Sequence, residues 1–178
     1  MESRRGGGGT EMNAIPIRIY GDPVLREKAR EVERFDSDLR ALVERMRDTL
    51  YYSQAVGLAA TQVGDSRRLF VLDAQDGAGF QVFVNPEILG GEGRETAEEG
   101  CMSLPGIYVE IERDRTVRIR YRGLEGESRE IEGSGLFGRI IQHETDHLEG
   151  VLISDRAGFF SRKLIAGKLR KLEQGVIL

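Results

Sequence analysis

Both histidines of this 178-residue chain fall within one pentapeptide, His143-Glu144-Thr145-Asp146-His147. The pattern is HExxH. On a helix, side chains four residues apart share a face, so the two imidazoles can converge on a single divalent metal. Glu144 projects beside them and suits a general base acting on a water that the metal activates. A solvated helix face that matches the pattern by chance is the alternative.

Two histidines leave a catalytic metal one protein ligand short of the usual three. A general metallopeptidase of the thermolysin kind takes a downstream glutamate, here Glu173, although a solvated charge is the simpler reading in so basic a segment. No third histidine exists, which removes the three-histidine arrangement. The other candidate lies upstream in Glu99-Gly100-Cys101-Met102-Ser103, where Cys101 would bind as a thiolate. The same cysteine can instead pack as a small apolar side chain.

The HExxH needs a helix, and Ser134 can cap one that starts near Leu136 and stops at Glu149-Gly150. Asp36-Ser37-Asp38 caps an earlier helix, with Leu39, Leu42, Val43, Met46 and Leu50 at helical spacing to about Tyr52. Pro23 opens a short turn of helix after Gly21-Asp22. Between these lie short strands: the buried run Leu69 to Leu72, Phe80 to Val84 ending at Asn85-Pro86, and Thr116 to Tyr121 returning through Glu127 to Ile131. Gly90 to Gly93 reads as a turn, and the Arg and Glu residues of these strands as solvated faces. A last helix spans 159–172, with Leu164, Ile165 and Leu169 apolar and Arg162, Lys163, Lys168, Arg170 and Lys171 basic. Strands joined by short turns predict an α+β fold, with antiparallel sheets packed around the central HExxH helix and an N-terminal and a C-terminal helix beside them.

An apolar share of 39% and a charged share of 31% describe a folded globular chain rather than a disordered one. The net charge of −4 argues against DNA binding, and no apolar run is long enough to cross a membrane. A single cysteine excludes an internal disulfide and fits a reducing compartment. Residues 1–14, with the run Gly6 to Gly9, read as a flexible tail lacking the features of a signal or transit peptide, and Met12 is an alternative start. Residues 15–178 then form a single catalytic domain. The cytoplasm is the expected location.

Gly57-Leu58-Ala59-Ala60-Thr61-Gln62, Glu99-Gly100-Cys101-Met102-Ser103 and Gln142-His143-Glu144-Thr145-Asp146-His147 together resemble peptide deformylase, which is marked by GxGLAAxQ, EGCLS and QHExDH in that order. Gly21-Asp22-Pro23-Val24-Leu25, Pro105-Gly106 and Arg113 before a strand extend the resemblance from about Ile15 to Ile153. Ala55 stands where the first glycine is usual, and Met102 replaces the usual leucine. Neither change touches a ligand or the base.

The resemblance implies that Cys101, His143 and His147 hold the metal and that Glu144 is the base. It makes the side-chain amide of Gln62 and the backbone N–H of Met102 the donors to the developing oxyanion. The implied substrate is the formyl-methionyl end of a nascent chain, with formate as product. Val56, Leu136 and Ile140 are the candidates for the apolar methionine pocket. Gly57 and Gly100 would allow close approach of the peptide backbone, with Tyr108 at the rim and Asp146 in support. The metal expected by resemblance is iron(II), while the sulfur and nitrogen donors also suit zinc, and nickel or cobalt can substitute. A monomer is expected, with ribosome contact through the basic C-terminal helix. A metal-stabilised, ribosome-associated module without catalysis is the alternative from a different class.

Overall fold

The computed structural model describes residues 13–177. The tail expected over residues 1–14 therefore lies almost wholly outside the described residues. Five strands form an antiparallel sheet in the order β1-β2-β3-β6-β7: β1 Gly57–Ala59, β2 Leu69–Leu72, β3 Gln81–Glu92, β6 Thr116–Arg122 and β7 Ser128–Ser134. A separate two-stranded sheet pairs β4 Glu95–Gly100 with β5 Tyr108–Arg113. The helices are α1 Ser37–Tyr52, α2 Gly135–Leu148, the single turn α3 Ile153–Arg156, and α4 Phe159–Glu173.

The apolar run of β2 is buried along its whole length because the sheet is covered on both faces. Leu69 and Val71 pack with Leu39, Leu42, Val43, Met46 and Leu50 of α1. Phe70 and Leu72 point the other way, into a cluster with Phe83, Val117, Ile119 and, from α2, Ile140, Ile141 and Leu148. Each fully buried aliphatic or aromatic side chain contributes about 1.5–3 kcal/mol relative to exposure. The helix carrying HExxH is thus pinned against the sheet by the same turns that hold the histidines. A third cluster joins β5, α3 and α4 through Ile107, Val109, Ile111, Leu152, Ile153, Ile165 and Leu172.

α1 begins as expected, with the Asp36 carboxylate accepting from Leu39 N at 3.1 Å. Ser134 occupies the cap position of α2, but its hydroxyl makes no capping hydrogen bond. Gly150, at φ +71°, follows the end of that helix in the left-handed conformation a stop there requires.

Three features differ from expectation. β3 does not end at Asn85-Pro86 or turn at Gly90-Gly91; it continues to Glu92 with register shifts between Val84 and Glu87 and between Ile88 and Gly90. The irregularity accommodates proline, which cannot donate to a ladder. Asn85 adopts φ +49° there, and its side-chain amide bonds both Val32 N and Val32 O. Second, β4, β5 and α3 have no counterpart among the expected elements. Third, charged strand residues divide. Arg118, Arg120 and Glu130 are exposed, whereas Glu99 on β4 and Arg113 on β5 are buried.

Candidate active site

α2 places His143 and His147 one turn apart, with ring centroids separated by 5.1 Å. Cys101, just beyond the end of β4, brings Sγ to 3.2 Å from His147 Nε2. Ligand atoms of Cys101, His143 and His147 all lie within 4.8 Å of one another. Donor atoms around one zinc-like ion sit roughly 3–4 Å apart, given bonds of about 2.0–2.3 Å. One sulfur and two imidazole nitrogens at this spacing therefore fit a single divalent cation.

Around these three residues a charged network is folded into the protein. Glu99 Oε2 lies 2.8 Å from His143 Nδ1, which leaves Nε2 of that ring for the metal. The same carboxylate accepts from Arg113 Nε at 2.8 Å and Nη2 at 2.9 Å, and from Arg139 Nη1 at 2.8 Å. Burial pushes the Glu99 carboxyl up, but these hydrogen bonds and charges outweigh it and hold the group well below the usual carboxylate range. Arg113 also reaches Asp146 at 2.7 Å, and Arg156 grips the same aspartate through two nitrogens. Asp146 is thus held by two arginines and does not join the metal-capable cluster.

Glu144 is 3% exposed, and its Oε2 has no hydrogen-bond partner among the described residues. Burial pushes its pKa up to about 7. Gln62, in the 3-10 turn Ala60–Val63, has its Oε1 held by Ala59 N at 2.9 Å. That bond sets the amide orientation and turns Nε2 towards Ser103 Oγ at 3.2 Å and Cys101 Sγ at 3.6 Å. A polar group with its acceptor satisfied and its donor facing the ligands is ready to bond a developing negative charge.

A cleft of about 500 Å³ opens in front of these groups. Val56, Gly57, Gly100, Met102, Tyr108, Leu136 and Ile140 all line it, together with Gln62, Cys101, His143 and Glu144. Ile140 is buried, while Met102, Tyr108 and Leu136 are exposed at the rim. Gly100 has a further reason to lack a side chain, since a Cβ there would lie 2.7 Å from the Tyr108 ring. Ala55 lines the cleft and packs against the α1 cluster. Glu173 lies at the far end of α4 beside Gly21 and is not in the ligand cluster.

Four residues of the network, Glu99, Arg113, Arg139 and Arg156, have no role readable from the sequence. Glu99 could have been singled out from its position two residues before Cys101. Arg139 could have been noted as the residue one turn before His143, but nothing in one sequence says that its charge is buried.

A family model described as polypeptide deformylase matches residues 14–163. The chain belongs to that family. It is 47% identical over 161 residues to the peptide deformylase of Thermotoga maritima, covering 90% of this chain and 97% of that one. The crystal structure of the Thermotoga maritima deformylase superimposes with a TM-score of 0.79 at 49% identity, over 82% of this chain and 98% of that one. Peptide deformylase 1B of Arabidopsis thaliana, solved with an inhibitor, gives a TM-score of 0.87 at 40% identity, covering 90% and 91% of the two chains. The α+β architecture is that of the deformylases. Deformylases are metal-dependent hydrolases that remove the formyl group from the amino terminus of nascent proteins, and the Cys101, His143 and His147 cluster is metal-capable. The general metallopeptidase and the non-catalytic module are not favoured. No helix among the described residues is long and apolar enough to cross a membrane.

Proposed function

We propose that this chain removes formyl groups with Cys101, His143 and His147 as the metal ligands and Glu144 as the base. The observation that carries the reading is Glu144 itself: buried at the base of the cleft, beside the three donors, with one oxygen unpartnered. A divalent ion on these ligands supplies Lewis acidity, lowering the pKa of a water to about 7 in well-studied zinc sites. Glu144 takes a proton from the water as its oxygen bonds to the formyl carbon. Glu144 then returns the proton to nitrogen as the C–N bond breaks, leaving formate and a free amino terminus. The Gln62 amide and the Met102 backbone N–H donate to the formyl oxygen while it carries negative charge. Losing one such donor costs about 3–4 kcal/mol of transition-state stabilisation.

The methionine side chain enters between Val56, Leu136 and Ile140, while Gly57, Gly100 and Tyr108 border the peptide backbone. Iron(II) is the proposed metal on the strength of the family resemblance. Zinc, nickel and cobalt are accepted by the same donors. Residues 15–178 act as one catalytic domain, a monomer in the cytoplasm, and the basic residues of α4 contact the ribosome. The test is to incubate protein purified without oxygen with formyl-Met-Ala-Ser and measure formate. Acetyl-Met-Ala-Ser should react orders of magnitude more slowly, because the site that admits hydrogen on the carbonyl carbon must exclude methyl. Equal rates on both would reject the reading in favour of a general amidase.

A further inference from the structure

Cys101 and the two histidines come from different parts of the fold, and something must hold these elements in register. Arg139 is placed to do it. It lies on α2 one turn before His143, and is 9% exposed. Its Nη1 bonds Glu99 Oε1 at 2.8 Å and Ile111 O at 3.0 Å, and its Nη2 bonds Glu95 O at 2.8 Å. One guanidinium on the metal helix thus grips both β4 and β5. Glu99, two residues before Cys101, docks on successive turns of α2 through Arg139 and His143. Arg113 adds a second link from β5 to Glu99, but it meets α2 at Asp146, beyond His143, whereas Arg139 holds the turn before it.

We propose that Arg139 is a positioning residue for the metal centre. It fixes the distance between the sulfur on the β4 side and the nitrogens on α2, and it sets the tilt of the His143 ring through Glu99. Outer groups that orient ligands in this way commonly change metal affinity 10–100-fold when removed. The inference rests on the ligand assignment made above.

The test is titration of metal-stripped protein with Co(II) against a competing chelator, read by the thiolate-to-cobalt absorption band, for the wild type, Arg139→Leu and Arg139→Lys. Arg139→Leu should raise the Co(II) dissociation constant by about 10-fold or more and shift the ligand-field bands. Arg139→Lys keeps an ion pair with Glu99 but not both carbonyl bonds, and should fall between the other two. At saturating Co(II), Arg139→Leu should lower kcat on formyl-Met-Ala-Ser with little change in KM. Unaltered Co(II) affinity and spectrum alongside a lower Tm would reduce Arg139 to packing and overturn the proposal. A raised KM with normal cobalt binding would make it a substrate contact and overturn it equally. Should leucine prevent folding, a lysine variant that binds Co(II) as the wild type does overturns it as well. Wild-type protein that shows no thiolate-to-cobalt band would defeat the ligand assignment, a different failure from any of these.

Discussion

Gly57 lies so close to Glu144 that a Cβ at position 57 would stand 2.5 Å from the Glu144 carboxylate oxygen Oε1. The same atom would meet Ile140 Cγ2 at 2.8 Å. Glycine is required here for space, since the residue sits in β1, paired with Leu72. Gly57→Ala must therefore displace Glu144 or the wall of the cleft. Misplacement of a reacting group by about 1 Å costs roughly 100-fold in rate, so kcat/KM should fall by about that factor with metal content unchanged. A variant with wild-type kcat/KM would show that Glu144 does not need its observed position.

Replacing Glu144 without changing its shape tests its proposed proton transfer. Glu144→Gln should retain metal and fold, and should lose about 100- to 10,000-fold in kcat, the usual range for general acid–base groups. Metal analysis on the same sample makes the measurement decisive: comparable turnover in a metal-replete variant removes Glu144 from the chemistry.

Gln62→Ala takes away the amide that faces Ser103 and Cys101. If it is the oxyanion donor proposed above, the expected loss is about 100- to 1,000-fold in kcat, with KM little changed. The substitution also frees Ala59 N, a buried donor, so thermal stability should drop by about 1–3 kcal/mol. A loss of stability alone, with kcat intact, would leave Gln62 as an ordinary buried amide.

The metal itself separates the deformylase reading from a metallopeptidase that uses a downstream acid. A strong chelator should abolish turnover, and added iron(II), cobalt or nickel under anaerobic conditions should restore it. Cys101→Ala should lose the metal, whereas Glu173→Ala should keep it, because Glu173 is exposed at the end of α4. Metal loss on changing Glu173 but not Cys101 would reverse the assignment.

On α4, Ile165 and Leu172 are buried and Leu164 is 83% exposed. Lys168 bonds Gly106 O at 3.0 Å, beside the cleft, and is best left in place. Reversing Lys163, Arg170 and Lys171 to Glu should weaken co-sedimentation with ribosomes at low salt, since phosphate contacts depend on ionic strength. Hydrolysis of formyl-Met-Ala-Ser should not change. Undiminished sedimentation would leave those charges as a solvated face.

Whatever follows from local spacing was legible along the chain. His143 and His147 share a face because a helix repeats every 3.6 residues, and α1 was legible because its apolar residues recur at that period. The three motifs named the family and pointed to Cys101, His143 and His147, which the fold brings together as a metal-capable cluster. Burial and pairing were settled by the fold. Glu99 and Arg139 read as ordinary charges in the chain, and their meeting across 40 positions depends on β4 docking against α2. β4 has no apolar rhythm to announce it; its strand character comes from pairing with β5. β3 passes through Asn85-Pro86 and Gly90-Gly91, residues that usually end strands, because β6 supplies the pairing beyond Val84 that local preference withholds. Propensity and periodicity act over a few residues, whereas the desolvation and hydrogen bonding that built the network around His143 act between residues brought together only by the fold.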